Sequence, residues 1–92
     1  MKITAWNLRY HELIGLRVSV LEYPDPSIRG LEGVVVDETL KTLVIEKKDG
    51  RRIRLFKQNA VFQFFTPSGE RIVIRGNEIF GRPWERVKMV LG

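Results

Sequence analysis

Residues 31–46 read LEGVVVDETLKTLVIE, and this stretch decides the fold. It contains two apolar runs, residues 34–36 and residues 43–45, both rich in β-branched side chains. Valine and isoleucine lose rotamer freedom in a helix but pack well on a pleated surface, so runs this short favour buried strands. The six residues between the runs are enough for one strand to end and the chain to reverse. The stretch therefore predicts a central antiparallel hairpin.

The segments on either side of this hairpin alternate between apolar and polar residues, as strands do. Prolines at 24 and 26 predict an exposed loop before the hairpin, and Gly30 and Gly33 indicate a bulge or sharp bend. Asp49-Gly50 predicts a two-residue hairpin turn. Short helices are predicted at both ends, over residues 6–14, with Thr4 as N-cap and Gly15 as the stop, and over residues 82–90, with Pro83 near the first position. The further strands are predicted at residues 16–22, 51–56, 60–66 and 70–75.

With 92 residues the chain makes one domain. We divide it into an N-terminal helical segment (1–15), a β-barrel (16–81) and a C-terminal helical segment (82–92). The predicted fold class is mainly β: a small, twisted antiparallel barrel of five to six strands with short N- and C-terminal helices. Closure into a barrel removes exposed strand edges. Sm-like, SH3-like and OB barrels all fit this pattern, and periodicity does not choose among them.

The charge of the chain is strongly uneven along its length. The net charge is +5 and the isoelectric point is about 10.0. Residues 1–46 carry five basic and seven acidic side chains, whereas residues 47–92 carry eleven basic and four acidic ones. Clustered cations in a basic chain are typical of nucleic-acid binding. The alternative is a basic protein whose charge only keeps it in solution.

The residue types of the chain leave little room for catalysis by the protein itself. Cysteine is absent, which excludes disulfides and thiolate chemistry, and His11 is the single histidine. Asp37 and Glu38 are adjacent, so on a strand they point to opposite faces and do not share a metal ion. We interpret Asp37 and Thr39 as turn residues. The sequence has neither a signal peptide nor an apolar run long enough for a membrane span, so we expect a cytoplasmic protein without bound cofactors.

A basic cluster is the strongest functional signal in the sequence. Six cations lie within eleven residues around the predicted hairpin turn, and phosphate is the obvious anion to face them. Further cations lie on the next predicted hairpin strand and near the C-terminus. The predicted nucleic-acid contacts are Lys47, Lys48, Arg51, Arg52, Arg54, Lys57, Arg71, Arg75, Arg82 and Arg86. Because Phe62, Phe64 and Phe65 are interpreted as core residues, we expect recognition through the backbone and shape of the nucleic acid.

Several short motifs, taken in order, resemble one known family. They are HELIGL at residues 11–16, VVDET at residues 35–39 and TLVIE at residues 42–46, with Lys57, Gly69 and Arg82-Pro83 completing the pattern. In this order they are similar to the Sm-like protein subunit of archaeal ribonuclease P, component 1, which the eukaryotic enzyme shares. The resemblance runs from residue 7 to about residue 86.

The resemblance implies an Sm-like barrel that works inside a ribonucleoprotein and supports its catalytic RNA in removing the 5′ leader from precursor tRNA. Catalysis would belong to the RNA with its Mg²⁺, and the protein would contact the specificity domain of that RNA, a zinc-ribbon protein subunit and, indirectly, precursor tRNA. The expected protein-partner contacts come from the N-terminal segment: Trp6, Leu8, Tyr10, His11 and Leu13. The alternatives are a ribosome- or translation-associated SH3-like RNA-binding protein and an adaptor barrel that binds only proteins.

Overall fold

The computed structural model describes residues 3–4 and 7–86, which form six strands and a few short helices. The strands are β1 (Arg17–Glu22), β2 (Glu32–Glu38), β3 (Thr42–Glu46), β4 (Arg52–Phe56), β5 (Val61–Phe65) and β6 (Arg71–Arg75). Three 3-10 helices span Leu8–Tyr10, Pro26–Ile28 and Gly76–Ile79. A further helix begins at Pro83, as predicted, and residues 87–90 of that prediction lie outside the described residues.

All six strands belong to one antiparallel sheet in the order β4-β3-β2-β1-β5-β6. The predicted central hairpin is β2 and β3, which pair through Val35 and Ile45. The sheet curls around a single apolar core, in which Val18, Val20, Phe62 and Phe64 are almost fully buried. The predicted fold class is therefore confirmed: the protein is mainly β, with six antiparallel strands in a small barrel-like arrangement. No helix in the described ranges is long and apolar enough to cross a membrane.

The hairpin turns between β3 and β4 and between β5 and β6 contain three residues each, which corrects the two-residue turn predicted at Asp49-Gly50. The Lys47 amide donates to the Arg51 carbonyl, and the Gly50 amide donates to the Lys47 carbonyl. Gly50 has a φ of +88°, so it supplies the left-handed residue that ends a three-residue hairpin loop. Gly69 has a φ of +90° and fills the same position between β5 and β6.

The strand bulges do not lie at the glycines where the sequence indicated them. The register of β2 against β3 shifts between Val35 and Asp37, and that of β1 against β5 shifts between Val20 and Glu22. Gly33 instead allows a close approach between strands, because a Cβ atom there would overlap the carbonyl oxygen of Glu46. The bulge in β2 has a larger consequence, because it turns the last residue of the strand, Glu38, towards the interior.

The N-terminal segment is less helical than predicted. Only Leu8–Tyr10 is helical, because His11 has an extended backbone that ends the turn. The N-cap of this turn is Asn7 and not the predicted Thr4, whose hydroxyl instead accepts a hydrogen bond from the Asn7 amide at 3.2 Å. After the turn, Leu13 enters the core and the Gly15 amide donates to the Val35 carbonyl. The segment thus lies along the sheet as an irregular chain held by its leucines.

Candidate nucleic-acid interface

The side chains of strand β4 point alternately into the core and to the opposite face of the sheet. Leu55 is buried in the core and Ile53 packs against it, whereas Arg52 and Arg54 point to the opposite face and are exposed. We call this opposite side of the sheet the outer face. The Arg54 guanidinium donates to the Thr42 hydroxyl at 3.2 Å, which orients it along the outer face.

The loop between β3 and β4 and the first residue of β4 together carry four cations of the predicted cluster, three in the loop and Arg52 on the strand. Two of these have acidic partners: the Arg51 guanidinium lies 2.8 Å from the Asp49 carboxylate, and the Arg52 guanidinium lies 2.9 Å from the Glu46 carboxylate. Hydrogen bonds from the Arg51 backbone and side chain lower the pKa of Asp49. Both arginines remain largely exposed, so these surface pairs do not prevent contact with an anion. Lys48 is exposed and Lys47 is half-buried.

The outer face continues across the whole sheet and carries further cations on its far side. Arg71 and Arg75 lie on this face of β6, as predicted, and are exposed. The backbone pairing also places Arg17 of β1 on this face, and Arg17 was not among the predicted contacts. Successive pairings align one row of outer-face residues across all six strands: Arg52, Glu46, Val34, Arg17, Phe65 and Arg71.

A cleft of about 530 Å³ opens on the outer face along this row. We call it the outer cleft; its lining runs from Phe65 on β5 to Lys47 and Lys48 in the β3–β4 loop. The guanidinium of Arg17 lies 5.0 Å from the centre of the Phe65 ring, and that of Arg71 lies 5.8 Å from the same centre. The other lining residues are Arg17, Val18, Glu32, Gly33, Val34 and Glu46.

Lys57 does not lie on this surface, so its predicted contact with nucleic acid is wrong. Its side chain is fully buried, and its ammonium donates to the Glu38 carboxylate at 2.7 Å. The same ammonium donates to the carbonyls of Thr39, Leu40 and Gly81. Burial lowers the pKa of the Lys57 ammonium, while the hydrogen bond and charge of Glu38 act against that shift.

Arg86 is the second predicted contact that the structure places in the interior. Its side chain is 2 % exposed and its guanidinium holds both carboxylate oxygens of Glu38. It also donates to the carbonyls of Ile79, Gly81 and His11. We call Glu38, Lys57 and Arg86 the buried triad. It joins the end of β2, the β4–β5 loop, the N-terminal segment and the C-terminal helix, and it has no free cation to offer a phosphate.

The remaining predicted contact, Arg82, is exposed next to this helix. Its guanidinium lies 3.9 Å from the Glu85 carboxylate and 5.7 Å from the centre of the Trp84 ring. Trp84 is 61 % exposed. The two side chains therefore form a small cation–π pair at the surface.

Of the residues predicted to contact a protein partner, some are buried in the core and others are partly exposed. Leu8 and Leu13 are fully buried, so as contact side chains they are wrong; the structure uses them as core residues. Tyr10 and His11 are partly exposed. Tyr10 lines a second cleft, of about 290 Å³, together with Asn77 and Phe80. Trp6 lies outside the described residues.

The two adjacent carboxylates at the end of β2 point to opposite sides, as predicted. Asp37 is exposed and its side chain accepts from the Glu38 amide at 2.8 Å, while the Thr39 hydroxyl accepts from the Thr42 amide at 3.1 Å. Both residues therefore act in the turn between β2 and β3. Within residues 3–4 and 7–86, no three His, Cys, Asp or Glu side chains are grouped so that they could hold a metal ion.

Comparison with known proteins identifies the family. Residues 6–89 match the model of the family described as "Ribonuclease P/MRP, subunit p29". The chain is 60 % identical over 90 residues to ribonuclease P protein component 1 of Desulfurococcus amylolyticus, covering 98 % of both proteins. It is 54 % identical to the protein of the same name from Staphylothermus marinus, covering 99 % of both.

A solved structure shares both the fold and the sequence pattern. It is described as Mth11, a homologue of the human RNase P protein Rpp29, and it is 50 % identical to this chain with a TM-score of 0.61. The match covers 83 % of this chain and 97 % of that one. Together with the near-complete match to the family model, this establishes that the chain belongs to the ribonuclease P/MRP p29 family.

Proposed function

We propose that this protein is an RNA-binding subunit of a ribonuclease P ribonucleoprotein, in which it supports the catalytic RNA during removal of the 5′ leader from precursor tRNA. The observation that carries the proposal is the separation of cations in the fold. Two of them, Lys57 and Arg86, are paired inside the buried triad, whereas Lys47 is half-buried and the other predicted contacts are exposed. A surface of this kind attracts the phosphates of RNA by displacing their counterions.

In this proposal the protein positions RNA and does not break bonds. Its cations neutralise phosphates on the specificity domain of the RNA, so precursor tRNA is contacted indirectly. Mg²⁺ belongs to the RNA, which carries out the cleavage, and the protein contributes no cofactor. We propose that the protein acts in the cytoplasm.

Reconstitution of cleavage tests the proposed function. Precursor tRNA is mixed with ribonuclease P RNA and the other protein subunits, with or without this chain, and cleavage at the 5′ end of the mature tRNA is measured. We expect the chain to raise the rate at low Mg²⁺, where RNA phosphates repel one another most. A variant that has lost Lys47 and Lys48 should raise it less. Equal rates with and without the wild-type chain would contradict the proposal.

We further propose that the zinc-ribbon protein subunit binds next to the N-terminal segment, where Tyr10 and His11 are partly exposed and Tyr10 lines a cleft with Phe80. Aromatic side chains at the edge of a cleft often dominate the affinity of a protein interface. Tyr10→Ala should weaken binding of that subunit by about tenfold or more in calorimetry. Val73→Ala, at an exposed position on β6, is the control and should bind normally. Equal affinity of both variants would place the partner elsewhere.

A further inference from the structure

We propose that the outer cleft binds one unpaired nucleotide of RNA, with its base stacked at Phe65 and Arg17 and its phosphate held by Lys47 and Lys48. This inference rests on the proposed RNA binding and makes it more specific. Contact with phosphates alone would depend only on charge and shape, whereas this site would also hold a base. Unpaired nucleotides are the parts of an RNA whose bases can leave the helix and stack on a protein.

The orientation of Phe65 provides the first argument. Phe62 and Phe64 are fully buried, as expected for core residues, but Phe65 alternates with them and points to the outer face, contrary to the sequence interpretation. Its ring lies between the guanidinium groups of Arg17 and Arg71. An aromatic ring flanked by arginines offers a base two kinds of flat surface, because guanidinium groups stack on bases as aromatic rings do.

The size and floor of the outer cleft provide the second argument. Its volume of about 530 Å³ falls within the range of small-ligand sites. Val34, which stands between Glu46 and Arg17 in the row across the sheet, is 37 % exposed and gives the floor an apolar surface. A base stacked at Phe65 and Arg17 therefore has an apolar surface next to it at Val34, the neighbour of Arg17 in the row.

The charges in the outer cleft determine which end holds the phosphate of the nucleotide and which end holds its base. Lys47 and Lys48 lie on the β3–β4 loop, several strands away from Phe65 in the sheet order. Glu32 and Glu46 line the cleft between these ends, and their carboxylates repel phosphate while accepting hydrogen bonds from base amino groups. The phosphate is thus favoured at the lysine end and the base at the Phe65 end.

The test replaces the aromatic ring without changing charge. Phe65→Leu should weaken binding to ribonuclease P RNA by about 5-fold to 150-fold, the usual range for loss of one stacked base. The slope of log K against log salt should stay unchanged, because no cation has been removed. Phe65→Tyr keeps the ring and should retain wild-type affinity. Phe56→Leu is the matched control, since Phe56 is 61 % exposed on β4 and does not line the outer cleft.

Ultraviolet crosslinking gives a second measurement. After irradiation of the wild-type complex and digestion with trypsin, we expect a nucleotide on the peptide 58–71, in which Phe62 and Phe64 are buried and Phe65 is half-buried on the outer face. The Phe65→Leu complex should lose this adduct.

Three outcomes would overturn the inference. Wild-type affinity in Phe65→Leu would do so while leaving the proposed phosphate contacts intact. Equal losses in Phe65→Leu and Phe65→Tyr would show that the position serves packing and not stacking. No RNA binding by the wild-type chain would overturn the inference together with the proposed function.

Discussion

Glu38→Ala is expected to destabilise the protein by about 3–5 kcal/mol, the usual cost of removing one partner from a buried ion pair. Glu38 is the single acid of the buried triad, and its carboxylate contacts both Lys57 and Arg86. Without it, two cations would remain in the interior with only backbone carbonyls as partners. A small domain has a total stability on the order of 5–15 kcal/mol, so most of the protein is expected to unfold on mild heating.

Urea denaturation measures this effect, with Glu46→Ala as the matched control. Glu46 pairs with Arg52, whose side chain is 65 % exposed, so its loss should cost about 1 kcal/mol or less. A Glu38→Ala variant as stable as Glu46→Ala would contradict the buried triad as described. If Glu38→Ala does not fold, Glu38→Gln serves instead, and adding Lys57→Met to it should recover stability, because that change removes a buried charge whose partner has gone.

Loss of the cations in the β3–β4 loop is expected to have the largest effect on RNA binding. Replacing Lys47, Lys48, Arg51 and Arg52 with alanine should reduce the slope of log K against log salt by about 3, since each phosphate contact contributes about 0.7–0.9. At 0.1 M salt this corresponds to an affinity loss on the order of a thousandfold. The free energy of unfolding should change little, because these side chains lie in or next to an exposed loop.

Two double variants with the same change in net charge test whether RNA binding depends on the position of the cations or only on their number. Lys47→Ala with Lys48→Ala removes two charges from the outer cleft, and the slope should fall by about 1.5. Arg29→Ala with Lys41→Ala removes two charges from exposed positions elsewhere, so the slope should hardly change. If both double variants reduce the slope equally, RNA responds to the overall charge of the protein and the assigned interface is wrong.

Much of the fold could be predicted from short-range patterns. The β-branched runs of residues 34–36 and 43–45 identified the central hairpin, because such side chains suit a pleated sheet. Alternation in residues 52–56 correctly separated the outward arginines from Leu55. The same rule could also have found the burial of Lys57, which shares its parity with Ile53 and Leu55. Lys57 was instead grouped with the neighbouring cations of the cluster, so its inward-pointing position on the strand was overlooked.

The rest of the site depends on features that a single sequence does not show. Regular alternation from Val35 would turn Glu38 outward, but the bulge between Val35 and Asp37 turns it inward, where it meets Lys57. Arg86 joins them from 48 residues further along the chain. The row from Arg52 to Arg71 likewise exists only once the strand order and register are known, which is why Arg17 was missed. The outward orientation of Phe65 follows from its alternation with Phe62 and Phe64, which the sequence already contains.

A salt titration of the wild-type chain with ribonuclease P RNA tests the central claim most directly. Five cations of the cluster remain exposed or half-buried after Lys57 is assigned to the interior: Lys47, Lys48, Arg51, Arg52 and Arg54. Their phosphate contacts predict a slope of about −4 or steeper in a plot of log K against log salt. A slope near zero, or no measurable binding at 50 mM salt, would contradict an interface built from these cations.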